Sequence, residues 1–135
     1  MAYLLDTNVF IAALKAHPAV RVRLERTPAT ALVLSPVVLG ELETGVEKSA
    51  RVEYNRARLA TVVEALALVP LDASASRAYA RIRADLERKG TPIGANDLWI
   101  AAQAIALDAT VVTDNIREFS RVEGLIVENW LESET

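Results

Sequence analysis

Five short apolar runs punctuate this chain, and the longer stretches between most of them are spaced like helices. The runs fall at residues 3–5, 31–34, 68–71, 110–113 and 125–127. A run of three or four apolar residues is too short for a helix but sufficient for a strand covered on both faces. Helical spacing is expected at about 8–16 and 18–27, with a break at His17-Pro18. It recurs after Ser35-Pro36, over 52–66, from Asp72 or Ser74 through Lys89, and from Asn96-Asp97 through Leu107. Ser35 supplies a helix N-cap, and Pro36 stands at the first helical position, where its missing N–H costs nothing. Strand alternating with helix predicts an α/β fold, a short and mostly parallel sheet with helices on both faces. The chain has no repeat and no long linker, so one domain is expected over residues 1–135.

In such a sheet the working site lies beyond the carboxyl ends of the strands. Asp6 ends the first run, Glu41 sits early in the helix after the second, Asp97 opens a late helix and Asp114 ends the fourth run. The topology therefore predicts that all four acids lie at one edge of the sheet. Carboxylates gathered in one pocket repel each other, and burial raises their pKa values further. A hard divalent cation with oxygen ligands relieves both effects, and Mg²⁺, or Mn²⁺ in its place, is the natural choice. Such an ion activates water and accepts phosphate oxygens, which suits phosphodiester hydrolysis.

Composition removes the competing chemistries. The chain has no cysteine, which excludes thiol catalysis and Cys-ligated zinc. It has one histidine, His17, which excludes a two-histidine acid–base ribonuclease. Neither a phosphate-binding G-x-x-x-x-G-K-[ST] loop nor a G-x-S-x-G nucleophile turn is present. A net charge of −3 neither requires nor forbids a nucleic-acid partner, because acids concentrated at one site leave the remaining surface closer to neutral. No signal peptide and no membrane span is read, and a cytoplasmic location is expected.

At these residues the sequence resembles the PIN-domain nucleases, and within them the VapC-type toxins of bacterial and archaeal toxin–antitoxin pairs. The resemblance runs from about Tyr3 to Trp130. It is carried by Leu5-Asp6-Thr7-Asn8, by Ser35-Pro36-Val37-Val38-Leu39-Gly40-Glu41-Leu42, and by Pro92-Ile93-Gly94-Ala95-Asn96-Asp97-Leu98-Trp99. Thr113-Asp114-Asn115-Ile116-Arg117-Glu118-Phe119 completes the set. The resemblance implies a PIN-like three-layer α/β/α fold and metal-dependent cleavage of RNA, tRNA among the plausible substrates. Asp6, Glu41 and Asp97 would be the metal ligands, with Asp114 and Asn115 in the catalytic set. Asn8, Ser35, Thr113 and Glu118 would be supporting polar residues. Many relatives carry an acid where this chain has Asn115, so Asp114, Asn115 or Glu118 could fill the fourth corner. A cognate VapB-type antitoxin and a homodimer are also implied.

Each residue has a plainer reading too. Asp6 could cap the helix that follows, Asp97 could be an acid favoured by a helix N-terminus, and Asp114 could be a turn residue. Glu41 is harder to dismiss, because an unpaired carboxylate on a helix packed against the sheet would be costly. Glu118 reads more readily as a surface residue, and Ser35 and Thr113 as ties for backbone at strand ends. Trp99 and Trp130 read as core or interface, and Arg77, Arg81, Arg83 and Arg88 as a solvated helix face. Two rival functions remain: a PIN-fold binding module with little turnover, and a different aspartate-dependent phosphoryl enzyme. The second is disfavoured because Asn8 stands where a haloacid-dehalogenase-like enzyme has its second aspartate.

Overall fold

The computed structural model describes residues 1–132. Its sheet has five strands, β1 (Ala2–Leu5), β2 (Leu32–Leu34), β3 (Ala67–Leu68), β4 (Ala109–Val112) and β5 (Val127–Glu128), in the spatial order β3-β2-β1-β4-β5. Every pairing is parallel, so the sheet is wholly rather than mostly so. Among the described residues seven helices flank it: α1 (Thr7–Leu14), α2 (Pro18–Glu25), α3 (Pro36–Glu47), α4 (Val52–Glu64), α5 (Ala73–Lys89), α6 (Ala95–Leu107) and α7 (Ile116–Phe119).

The strand order places the site. The chain leaves β1 for β2 and then β3 on one side, and crosses back to β4 and β5 on the other. Between β1 and β4 the winding reverses, which opens a crevice at the carboxyl ends of those two strands. Their register pairs Leu5 with Val112, and the Asp6 N–H donates to Val112 O at 2.8 Å. Asp6 and Thr113 therefore leave the sheet side by side.

Apolar burial holds this frame. Leu4, Val111 and Val112 are fully buried in the two central strands, against Ile100, Ala101 and Ala104 of α6 and Val9 of α1. Each fully buried aliphatic side chain of this size contributes roughly 1.5–3 kcal/mol. Trp130 is also buried, its ring centroid 5.3 Å from that of Tyr3, while Trp99 stacks on Tyr79 at 4.0 Å. Both tryptophans thus serve packing, as expected. The break at His17-Pro18 is present: α1 is capped at Lys15 and α2 starts with Pro18.

Two local expectations are corrected, and one short helix is added. The third strand lies at Ala67–Leu68 instead of 68–71; Val69 still donates to Leu34 O at 3.1 Å, but Pro70 has no N–H with which to continue the ladder. The last strand begins at Val127, because Gly124 adopts φ +83° and Leu125 is turned back to Val122 O. Residues 116–119 form the short helix α7, with the Asn115 side chain accepting from the Glu118 N–H at its start.

Candidate active site

Asp6 follows the buried pair Leu4-Leu5 and is itself only 6% exposed. Its backbone is extended at φ −68° and ψ 160°, and Oδ1 accepts from the Thr7 N–H at 2.8 Å, so the capping role is real. The cap engages one oxygen only. Oδ2 accepts from Thr113 Oγ1 at 2.7 Å, across the crevice from the end of β4. Burial pushes the Asp6 carboxyl up most strongly; the bonds from Thr113 and Thr7 oppose this, and repulsion from Glu41 and Asp114 adds to it.

Glu41 reaches the same place from the second turn of α3. It is half-buried, and Oε1 accepts from Thr7 Oγ1 at 2.7 Å. Helix α3 is aimed there by its cap: Ser35, fully buried, accepts from the Val37 N–H at 3.2 Å, with Pro36 in the first turn. Ser35 therefore directs the helix and stands apart from the acids in its bonding.

Asp97 lies in the first turn of α6, half-buried, with Oδ2 accepting from Asn115 Nδ2 at 3.2 Å. The Asn115 amide also donates to Glu118 Oε2 at 2.8 Å, and Glu118 Oε1 accepts from the Gly94 N–H at 2.7 Å. Burial, then repulsion from Asp6 and Glu118, pushes Asp97 up to about 7; a hydrogen bond to Glu118 that uses the Asp97 proton, and repulsion from Glu41, act the same way. Glu118 moves oppositely and is held below the usual carboxylate range by the Gly94 N–H and the Asn115 amide. Thr113 completes the frame: it is fully buried, donates to Asp6 and accepts from the Asn115 N–H at 2.9 Å.

Asp6, Glu41, Asp97 and Glu118 therefore share one electrostatic neighbourhood, with Asn115 between the last two. Asp114 sits at its margin, exposed, and accepts from Asn8 Nδ2 at 3.3 Å. At the corner left open by the sequence, Glu118 stands beside Asp97 while Asp114 faces solvent. Glu118 is more than the surface residue that its position suggested. Thr7 is the residue that sequence reasoning passed over, naming it only as a neighbour of Asp6. No local signal could have distinguished it, because its partner Glu41 lies 34 positions away. The arginines of α5 do form a solvated face, Arg83 pairing with Glu87 and Arg88 with Asp85.

The donor chemistry of this site fits a hard cation. Every candidate ligand is a carboxylate oxygen, and the charges that act most strongly on Asp97 are all acidic. Among the described residues no three Asp, Glu, His or Cys side chains are gathered closely enough to hold one ion as they stand. The carboxylates are occupied instead by the donors Thr7, Thr113 and Asn115. Burial first and the neighbouring acids second raise Asp97, and these neutral donors do not offset either effect.

Known proteins share this sequence and fold. The PIN domain profile matches residues 3–125. Ribonuclease VapC2 of Rickettsia felis is 42% identical over 132 residues, covering 96% of this chain and 98% of that protein. The tRNA(fMet)-specific endonuclease VapC of Salmonella typhimurium is 37% identical over 131 residues, with 96% and 98% covered. Among solved structures, VapBC from Salmonella typhimurium, bound to DNA, superposes with a TM-score of 0.90 at 37% identity, covering 96% of this chain and 98% of that one. VapBC2 from Rickettsia felis, bound to a DNA fragment from their promoter, gives 0.87 at 40% identity, with 96% and 99% covered. PIN-domain nucleases are typically metal-dependent. No helix among the described residues is long and apolar enough to cross a membrane. With its parallel sheet, its acids at the β1–β4 crevice and similarity along almost its whole length, the chain belongs to the PIN-domain family and, within it, to the VapC ribonuclease toxins of toxin–antitoxin systems.

Proposed function

We propose that residues 1–135 act as one Mg²⁺-dependent endoribonuclease domain, with Asp6, Glu41 and Asp97 as metal ligands and Mn²⁺ able to substitute. The observation that carries this reading is the gathering of acids from distant segments in one half-buried place, where burial first and their mutual repulsion second lift Asp97 to about 7. When bound, the cation supplies neutralisation of these charges and activation of water toward a phosphodiester. The chain's own residues do the positioning. Thr113 holds one oxygen of Asp6 and Thr7 holds Glu41. Asn115, with Glu118 behind it, steadies Asp97 at the start of α6. Asn8 and Asp114 form the outer rim of the site, and Ser35 aims α3.

A tRNA is the proposed substrate class, supported by the tRNA(fMet)-specific relative. A VapB-type antitoxin is the proposed partner, supported by the solved VapBC assemblies, and the toxin is proposed to be a cytoplasmic homodimer. The test is cleavage of total cellular RNA by the purified chain with Mg²⁺ or Mn²⁺, with EDTA, and by Asp97→Asn. Discrete products that require metal and vanish in the variant are expected. Absence of cleavage in any metal, from folded and antitoxin-free protein, would overturn the reading.

A further inference from the structure

A groove of about 410 Å³ runs between α1, α3 and α4 and reaches Glu41, which forms part of its wall. That volume lies within the roughly 300–1,000 Å³ typical of ligand clefts. Leu14 and Leu42 contribute to its apolar floor, while Lys15, Asn55 and Arg58 supply polar groups. Lys15 and Arg58 are exposed, and neither is ion-paired with a carboxylate among the described residues. Arg58 is held in place instead, donating to the Leu14 carbonyl at 3.0 Å.

The groove wall also contains Gly45, in the last turn of α3. A glycine there weakens the helix relative to alanine. Nothing in the chain requires it, because a Cβ at Gly45 would meet no atom within 4 Å. Gly45 lies on the groove lining, so the missing side chain leaves the groove wider at that point.

We propose that this groove binds the single-stranded RNA segment next to the scissile phosphodiester, with Lys15 and Arg58 contacting its phosphates and the apolar floor receiving a base. The inference rests on the nuclease reading and deepens it. The physical need is specific: the carboxylates of the site repel a polyanion, and a chain of net charge −3 must supply local cations beside them. Lys15 and Arg58 stand at a groove that touches Glu41 itself. An apolar floor with cationic edges is the combination that holds single strands, through base contact and phosphate neutralisation.

The test is fluorescence anisotropy of a short fluorescein-labelled single-stranded RNA with the full chain in EDTA, where binding is read without cleavage. Lys15→Glu and Gly45→Leu are each expected to weaken binding about tenfold or more, and Lys15→Glu to lower the salt slope of log K by about 0.7 per lost phosphate contact. Gly45→Leu removes a helix-weakening glycine, so its melting temperature should not fall and misfolding would not account for the loss. RNA affinity and salt slope unchanged in both variants would overturn the proposal and leave the groove to an apolar peptide. Loss of affinity in Gly45→Leu alone, with Lys15→Glu unchanged, would overturn it likewise. Metal-dependent cleavage by the wild-type chain is scored separately, so failure of the groove and failure of the nuclease reading are distinguishable.

Discussion

Thr7 donates through Oγ1 to Glu41 Oε1 at 2.7 Å, while its N–H donates to Asp6 Oδ1 at 2.8 Å. One small residue at the start of α1 thus holds two acids that come from the end of β1 and the middle of α3. The link sets the spacing of the site, because among the described residues no other hydrogen bond of either carboxylate joins these two elements.

Thr7→Val should therefore loosen Glu41 with little change in shape. A hydrogen bond to a charged, half-buried group contributes about 1.5–3 kcal/mol, so a modest fall in melting temperature is expected. Cleavage should fall about tenfold or more, in line with displaced catalytic groups. Thr7→Ser should restore most of both, and equal activity in all three proteins would remove Thr7 from the site's framework.

Asp97 makes the metal-free protein sensitive to pH. The native carboxyl keeps its proton up to about 7, whereas the unfolded one releases it near an ordinary pKa of about 3.9. Between those values the native state binds more protons, so stability falls as pH rises from about 4 to 7. The raised Asp6 acts in the same direction. Asp97→Asn should flatten this slope in denaturant titrations at several pH values. Mg²⁺ should raise the melting temperature of the wild type above pH 7 and much less that of the variant, since a cation bound only by the native state stabilises it. A wild-type slope of opposite sign would contradict the placement of Asp97.

Thr113 is buried between Asp6 and Asn115, with its hydroxyl used twice. Thr113→Val keeps the shape and strands both partners, so a loss of about 3 kcal/mol is expected. Thr113→Ser removes only a methyl group, at about 1 kcal/mol. Urea unfolding of the two variants measures the difference, and similar values would show that packing rather than hydrogen bonding sets the role of Thr113.

Glu118 affects Asp97 by charge and by a shared proton. Glu118→Ala should bring the Asp97 pKa down toward the ordinary range, read from carboxyl carbon NMR shifts in the metal-free protein. The same change leaves the Gly94 N–H without its side-chain acceptor and the Asn115 amide with Asp97 alone, so hydrogen exchange at the start of α6 should accelerate. An unmoved Asp97 titration would mean that the two carboxyls do not interact in solution.

The elements were largely legible because their signals are local. Ser35-Pro36 announced α3, Asp72 announced α5, and the apolar runs at 3–5 and 110–113 became the two central strands. Legibility failed where a local signal competed with a distant one. The run at 68–71 looked like a strand, yet only the part that could pair with β2 before Pro70 became one. The helix α7 is four residues long and is stabilised by the Asn115 cap, too brief to show a periodicity. Asp6 was legible as cap and as ligand candidate together, and the structure gives one oxygen to the cap and the other to Thr113.

The sequence by itself determined the candidate residues: acids placed after apolar runs and at helix starts, no thiol, and a single histidine. Those are properties of residue type and of neighbours within a turn or two of chain. Only the tertiary structure decided which of them meet. The reversal of winding between β1 and β4 brings Asp6 against Thr113 across 107 positions, and the packing of α6 beside α7 places Glu118 rather than Asp114 next to Asp97. Such meetings depend on strand order and helix packing, which arise from burial of the whole core and leave no mark at the individual positions they join.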